Sequence, residues 1–220
     1  MKVLDELYFI EGRLYDSNCY IIGDKALTLI DTGSGMNIKY IRDSIKKDGL
    51  DPNNIKKIIL THCHFDHSGG LNEFIKISKP IINISDLEAP FIEKADKKIL
   101  LLDMFGASFS PVKVQNRVHN GQKIKCGKYE FEVINTPGHS IGSICLYEKE
   151  NKILISGDTI FAGGSFGRVD LPTGSINDLI NSVEKLSKLE INYLLPGHNH
   201  ISKNGQKDIA SVRYMLKTYY

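Results

Sequence analysis

Short apolar runs separated by turn residues fill the first thirty residues of the chain. Branched and aromatic residues predominate in 3–10, 19–22 and 26–30, and Gly12 and Gly23 lie between the runs. Apolar runs of this length, bounded by turn residues, are typical of β-strands. The pattern therefore predicts an antiparallel meander of three strands at the start of the chain.

Helical spacing first appears after residue 36. Ile38, Ile41 and Ile45 recur at intervals of three and four, and Gly49 closes the segment. A stripe of this kind places its apolar side chains on one face of a helix. We therefore expect a helix over 37–47.

Strand and helix patterns alternate from residue 55 to residue 84. Apolar runs predict strands over 55–61 and 80–84, and a short helix over 71–77 lies between them. A strand, a helix and a second strand in succession favour parallel pairing of the two strands. The first half of the chain is therefore expected to combine antiparallel and parallel strands.

A capping signal follows at residues 85–88. Ser85 and Glu88 have the spacing of a capping box, which predicts a helix that begins near residue 86 and continues through 94–104. The segment that follows, 105–111, contains glycine, serine and proline and breaks the helix. We expect it to lie over the mouth of a site with Phe105 and Phe109 as pocket walls; the alternative is that both are core aromatics.

The second half repeats the style of the first, with strands before helices. Strands are predicted at 122–125, 128–135, 143–148, 153–156 and 191–195, and helices at 176–186 and from about residue 206. No change in composition and no linker rich in proline or glycine separates the halves. The pattern predicts two sheets packed face to face with helices outside, in one domain over residues 1–220.

Composition places the chain among ordinary globular proteins. Its 220 residues are 41% hydrophobic and 25% charged, and the formal net charge is +2. A nearly neutral chain with scattered lysine pairs lacks the basic track that nucleic-acid binding requires. We therefore expect a small-molecule partner and no nucleic acid, while the composition carries no signal for an oligomeric state.

The N-terminus and the cysteines bear on the compartment. Charged residues follow Met1 where a signal peptide would be apolar, and no apolar run reaches the length of a bilayer span. The four cysteines form no Cys-x-x-Cys pair, which argues against a disulfide framework and against a thiolate zinc site. The expectation is a cytoplasmic protein with no membrane partner.

The stretch THCHFDH is the densest group of chemically active residues. His62, His64, Asp66 and His67 follow a predicted strand, and residues two apart in an extended backbone point to the same side. His62 and His64 can therefore share one ion, while the turn into the next helix directs Asp66 and His67 to a neighbouring position. The alternative, a solvated polar loop, does not explain four ligand types at one strand end.

Three further side chains that are able to bind a metal ion follow predicted strands. They are His139 in TPGHS, Asp158 in SGDTIF and His198 in LLPGH, each beside a glycine that allows close approach of the backbone. Asp31, also at a strand end, either supports the THCHFDH turn from behind or caps a turn.

These motifs, in this order, resemble those of the metallo-β-lactamase superfamily. The resemblance covers nearly the whole chain and implies an α/β fold, a four-layer αββα sandwich of two mixed sheets with helices on the outer faces. It also implies two divalent metal ions, zinc first, with iron and manganese as alternatives. Carried over by position, one ion would take His62, His64 and His139 and the other Asp66, His67 and His198, with Asp158 bridging both.

Within the superfamily, the segment GDTIF through GRVD looks most like the short microbial glyoxalase II proteins. In that branch a basic residue at the position of Arg168 helps to hold glutathione, whereas the aromatic that follows two positions later is replaced here by Asp170. The same pattern also resembles persulfide dioxygenases, which use one iron held at the positions of His62, His139 and Asp158. Arg168 either binds a substrate carboxylate or pairs with Asp170 and only fixes the loop.

The resulting hypothesis is a metal-dependent hydrolase that cleaves a small thioester of the hydroxyacylglutathione type by a metal-bridging hydroxide. Asp66 and Asp158 are its catalytic carboxylates, and Arg168 is its substrate-binding residue. A thiol leaves readily as thiolate, whereas an amide would need a proton donor. The alternatives are a mononuclear iron persulfide dioxygenase on the same scaffold, a ribonuclease, which the near-neutral charge disfavours, and a binding module without catalysis.

Overall fold

The computed structural model describes residues 1–220. The chain divides into two compact units, the first formed by Met1–Val118 with Lys125–Tyr129 and the second by His119–Ile124 with Glu130–Tyr220. No helix of either unit combines the length and the apolar character that crossing a membrane requires.

The first unit contains a seven-stranded mixed sheet in sequential order. Its strands are β1 (Lys2–Leu4), β2 (Leu7–Ile10), β3 (Cys19–Ile22), β4 (Leu27–Ile30), β5 (Ile55–Ile59), β6 (Ile81–Ser85) and β7 (Asn116–Val118). The strands from β1 to β4 pair antiparallel, and those from β4 to β7 pair parallel. The predicted meander and the predicted parallel pairing are both confirmed.

The apolar run at 3–10 forms two strands instead of the single strand expected. The chain reverses at Asp5 and Glu6, where Glu6 has a positive φ of 56°, and Leu4 pairs with Leu7 across the turn. The Tyr129 hydroxyl donates a hydrogen bond to the Asp5 carbonyl at 2.6 Å. A partner more than a hundred residues away therefore fixes a turn that carries no glycine.

Five α-helices and one short 3₁₀ helix (Pro52–Asn54) accompany the first sheet. The α-helices are α1 (Ile38–Lys47), α2 (Phe65–Ser68), α3 (Leu71–Ser78), α4 (Ala89–Lys94) and α5 (Leu102–Phe105). Ile41 and Ile45 on α1, and Leu71 and Phe74 on α3, are buried in one core cluster with apolar residues of the strands. Ile41 and Ile45 are among the residues that the helical spacing placed on one face.

The predicted continuous helix through 94–104 is wrong. α4 ends at Lys94, and the next residue, Ala95, has a left-handed backbone with φ of 51°. α5 starts after Leu101, which has φ of 63°. The predicted capping box is also wrong, because the Glu88 side chain does not cap α4. Phe105 and Phe109 pack, partly buried, against the core of the first unit.

The second sheet has five strands in the order β12, β11, β10, β9, β8. They are β8 (Lys123–Cys126), β9 (Tyr129–Asn135), β10 (Ile144–Glu148), β11 (Ile153–Gly157) and β12 (Tyr193–Pro196). β11 and β12 pair parallel, while β9, β10 and β11 pair antiparallel. Each strand lies within two residues of its predicted position.

The second unit carries two helices, α6 (Ile176–Leu186) and α7 (Gly205–Tyr219). Ser175 caps α6 because its hydroxyl accepts the backbone N–H of Asp178. Leu179 and Val183 on α6 and Ile209 and Val212 on α7 are buried in a second core cluster. Two mixed sheets with helices are consistent with the αββα sandwich expected from the sequence.

Candidate metal centre

Strand β5 delivers the THCHFDH turn of the first unit. The strand ends at Ile59, His62 and His64 follow in the turn, and α2 begins at Phe65, so that Asp66 and His67 lie in its first helical turn. His62, His64 and His67 are buried. The change of direction expected between the two pairs of ligand types is present.

The imidazoles of this turn lie close together. The ring centroid of His62 is 4.7 Å from that of His64 and 4.1 Å from that of His67. The Nε2 atom of His67 lies 3.7 Å from Oδ2 of Asp66. The first unit therefore brings all four of its predicted ligand side chains into one group.

Asp31 supports this turn from the end of β4. Its Oδ1 atom accepts the backbone N–H of Thr61 at 2.8 Å, and its Oδ2 atom accepts the Thr61 hydroxyl at 2.8 Å and the His67 Nδ1–H at 2.8 Å. A carboxylate can only accept, so the proton of His67 lies on Nδ1 and the lone pair on Nε2. Asp31 itself has a positive φ of 54°, a strained conformation of the kind found at functional sites.

Glu88 supports the turn from a second side. Its Oε2 atom accepts the backbone N–H of Cys63 at 2.7 Å, and the Ser68 hydroxyl donates to the Cys63 carbonyl at 2.8 Å. The Cys63 side chain is buried in the core, and burial raises the pKa of its thiol well above the usual range. Cys63 is therefore a packing residue of the core.

The second unit contributes three candidate metal ligands, each of which lies just after a strand. His139 follows β9, Asp158 follows β11 and His198 follows β12. His139 and Asp158 are buried, whereas the His198 side chain is 32% exposed. The residue after His198, Asn199, has a positive φ of 66°, so backbone strain occurs beside a ligand type in this unit as well.

A single carboxylate oxygen lies between the two imidazoles of the second unit. Oδ2 of Asp158 is 3.6 Å from Nε2 of His139 and 3.5 Å from Nε2 of His198. Both separations exceed ordinary hydrogen-bond lengths. They match the spacing of about 3.4 Å between two ligands of one tetrahedral ion with bonds near 2.0–2.1 Å.

The orientation of His139 is fixed by the loop that follows Asp158. Its Nδ1–H donates to the backbone carbonyl of Arg168 at 2.7 Å, which leaves the lone pair on Nε2. The backbone N–H of Gly167 donates to the Asp158 carbonyl at 3.1 Å. A Cβ at Gly167 would lie 2.2 Å from that carbonyl oxygen and 2.9 Å from His139 Nδ1, so only glycine fits there.

Arg168 and Asp170 form a two-pronged ion pair on the surface. Arg168 Nε donates to Asp170 Oδ1 at 3.0 Å, and Nη2 donates to Oδ2 at 2.7 Å. The hydrogen bond from Arg168 lowers the pKa of the Asp170 carboxyl to about 2. Of the two roles expected for Arg168, the pairing with Asp170 is present, and its side chain is still 59% exposed.

The donor set of both groups fits divalent metal ions. It consists of histidines and aspartates that are able to hold a metal ion, and two of the histidines present Nε2 because Nδ1 donates to a carboxylate or a backbone carbonyl. Metal-binding histidines almost always show this support. Imidazole and carboxylate together suit zinc, iron and manganese.

Sequence reasoning missed Glu88 as a support of the turn and did not single out Asp208 on α7. The local spacing of Glu88 predicts a helix cap, whereas its partner Cys63 lies 25 positions earlier. Asp208 is buried in the first turn of α7. A buried acidic residue at a helical core position is the only sequence signal that would have identified it.

Curated proteins of several organisms resemble this chain over most of its length. Residues 12–198 match the sequence model of the metallo-beta-lactamase superfamily. A probable metallo-hydrolase of Methanocaldococcus jannaschii is 35% identical over 87% of this chain and 92% of its own length. The acyl-coenzyme A thioesterase MBLAC2 of Gallus gallus is 28% identical over 87% and 77%, and the hydroxyacylglutathione hydrolase GloC of Haemophilus influenzae is 28% identical over 88% and 90%.

Solved structures show the same relationship. The B3 metallo-beta-lactamase BLEG-1 superposes with a TM-score of 0.79 at 26% identity and covers 91% of this chain and 95% of its own. The protein TTHA1623, solved in a di-iron-bound form, superposes with a TM-score of 0.75 at 27% identity and covers 91% and 96%.

Proposed function

This chain belongs to the metallo-β-lactamase superfamily, and we propose that it is a metal-dependent hydrolase of small thioesters of the hydroxyacylglutathione type. Relatives named metallo-hydrolases support the hydrolase class. The observation that carries the proposal is the position of Asp158 Oδ2, at 3.6 and 3.5 Å from the Nε2 atoms of two histidines. This spacing suits shared coordination better than direct hydrogen bonds.

The proposed centre uses the ligand types of both units. One divalent ion would be held by His62, His64 and His139, and the other by Asp66, His67 and His198, with Asp158 shared between the two ions. The assignment requires the two units to act together, so we propose that residues 1–220 work as one domain.

The residues of the chain prepare the site for hydrolysis. Asp31 and the Arg168 carbonyl hold the Nδ1–H groups of His67 and His139, so both imidazoles keep a fixed orientation during the reaction. Two divalent ions bound there would polarise the thioester carbonyl and lower the pKa of a bound water to roughly 7. The Asp66 carboxylate, whose side chain is 16% exposed, would accept the proton of the attacking water.

The thioester assignment follows from the leaving group. A thiol has a pKa of about 8.5 and departs as thiolate without a proton donor, whereas an amine does not. No lysine, tyrosine or further histidine is required for that step. Two relatives are named for thioester cleavage, one of acyl-coenzyme A and one of hydroxyacylglutathione, and both names support this substrate class.

The test is a panel of thioesters with zinc-loaded protein. We expect release of free thiol from lactoylglutathione or from a short acyl-coenzyme A. Asp158→Asn should abolish thiol release, while Asp178→Asn, which changes an exposed aspartate on α6, should retain it. The absence of thiol release from every thioester would contradict the proposal. Oxygen consumption by iron-loaded protein with glutathione persulfide would favour the dioxygenase instead.

A further inference from the structure

The loop of residues 161–168, FAGGSFGR, connects the ligand types of the second unit with α7. We call it the glycine loop. At its start the ring of Phe161 meets the ring of His198 edge to face, with centroids 5.9 Å apart. At its end Gly167 and Arg168 bond to Asp158 and His139 as described above. The glycine loop therefore touches all three ligand types of this unit.

The tip of the glycine loop rests on α7. The backbone N–H of Phe161 donates to the Ser165 carbonyl at 2.7 Å, which folds the loop into a tight hairpin. The backbone N–H of Gly163 at the tip donates to Oδ1 of Asp208 at 2.9 Å. A Cβ at Gly164 would lie 2.8 Å from the Ser211 Cβ, so the loop approaches the helix as closely as glycine allows.

Asp208 has one buried oxygen beyond this contact. The residue is 8% exposed, and its Oδ2 atom makes no hydrogen bond within the protein. A buried carboxylate with only part of its hydrogen bonds made costs stability. Packing alone would favour an apolar side chain at this position, so the aspartate requires another reason.

We propose that Asp208 is a positioning residue for substrate binding, because it fixes the glycine loop that carries Phe161 and Arg168. The inference rests on the proposed function, since the thioesterase hypothesis drawn from the sequence makes Arg168 the substrate-binding residue. Without the Gly163 anchor, the tip of the hairpin is free to leave α7 while its base stays bonded to Asp158 and His139. The side chains of Phe161 and Arg168 would then lose their alignment, while the backbone of Gly167 and Arg168 would keep its hydrogen bonds to Asp158 and His139.

The test compares Asp208→Ala, Asp208→Asn and Asp178→Ala. Asn keeps an oxygen that accepts the Gly163 N–H. Asp178 lies in the first turn of α6 as Asp208 lies in that of α7, but it is exposed, so its substitution controls for the loss of a helix-terminal charge. Amide hydrogen exchange of a peptide that covers 161–168, the zinc content, KM and kcat are measured for each variant.

Asp208→Ala should speed exchange in the glycine loop by about tenfold or more. It should raise KM by roughly tenfold, with kcat changed by less than about threefold and with unchanged zinc content. Asp208→Asn and Asp178→Ala should stay within about twofold of the wild type in every measurement. A wild-type KM in Asp208→Asn would show that the defect of Asp208→Ala comes from the lost hydrogen bond to Gly163 and not from a loss of fold.

Unchanged exchange in Asp208→Ala would overturn the inference, and so would an unchanged KM or an equal defect in Asp208→Asn. If the wild type cleaves no thioester, the proposed function fails. The exchange of the glycine loop then still decides whether Asp208 is its anchor.

Discussion

The Nδ1–H of His67 donates to Oδ2 of Asp31 at 2.8 Å, and both side chains are buried. The same carboxylate holds the backbone and the hydroxyl of Thr61. One acidic residue at the end of β4 therefore sets the path of the turn after β5 and the orientation of an imidazole within it. Support of this kind typically changes metal affinity by 10- to 100-fold when it is removed.

Asp31→Ala should therefore weaken zinc binding by roughly 10- to 100-fold. The loss arises because His67 no longer has a fixed ring orientation. Competition with a chromogenic chelator measures the affinity. The control, Asp24→Ala, removes an exposed turn aspartate and should bind zinc with wild-type affinity. Wild-type zinc affinity in Asp31→Ala would show that the hydrogen bond from His67 to Asp31 is not needed.

Gly167→Ala should disturb the ligands of the second unit directly. The added Cβ would lie 2.2 Å from the Asp158 carbonyl oxygen, so the backbone must move, which should cost about 1–3 kcal/mol of stability. His139 would then lose its hydrogen bond to the Arg168 carbonyl. Urea unfolding and zinc titration measure both effects. The control is Gly121, which has a positive φ and no atom within 4 Å of the position of an added Cβ. Gly121→Ala should therefore lose about 1 kcal/mol of stability through backbone strain and keep its zinc affinity. Unchanged zinc binding by Gly167→Ala would contradict the expectation.

Asp170→Asn should improve the use of thioesters that carry a carboxylate. The substitution removes the charge that occupies Arg168, and we expect KM for lactoylglutathione to fall by roughly 2- to 5-fold, the range of an exposed ion pair. A neutral N-acetylcysteamine thioester should show no change. Because the pKa of Asp170 is about 2, the effect should be the same from pH 5 to pH 8. An unchanged KM for both substrates would leave the pair with a role only in fixing the loop.

The ion pairs between α6 and α7 should make stability depend on pH in the acid range. Hydrogen bonds from Arg213 and then Lys217 lower the pKa of Glu184 to about 2. A carboxyl with a lowered pKa stabilises the fold above its unfolded value of about 4.3 and loses that contribution as the pH falls towards 2. Glu184→Gln should lower Tm by about 1–3 °C at pH 6.

Thermal unfolding of both proteins from pH 6 to pH 2.5 follows this difference. It should shrink steadily as the pH is lowered. A difference that grows towards low pH would have the wrong sign for a lowered pKa.

Elements with local signals were predictable from the sequence. The helices α1 and α6 repeat isoleucine and leucine at helical spacing, and β3 and β10 are apolar runs between turn residues. The seven candidate metal ligands were identifiable from the sequence because each follows a strand or lies in the turn after one. Their grouping within each unit then follows from where parallel and antiparallel strands end.

Features that depend on distant partners were not predictable. Glu6 in the first turn and Ala95 just after α4 both have a positive φ without being glycine, so neither carries a turn signal. Glu88 has the spacing of a capping residue, yet its carboxylate reaches Cys63. Asp208 gains its partner Gly163 only when the glycine loop folds against α7.

The metal content of the zinc-loaded protein tests the proposed centre most directly. The wild type should hold about two ions per chain after removal of loosely bound metal, and His62→Ala and His198→Ala should each hold about one. Asp158→Ala should hold fewer than the wild type, because it removes the shared ligand. The account would be contradicted if the wild type held no tightly bound zinc, iron or manganese. Full metal content in all three variants would also contradict a centre built from ligands of both units.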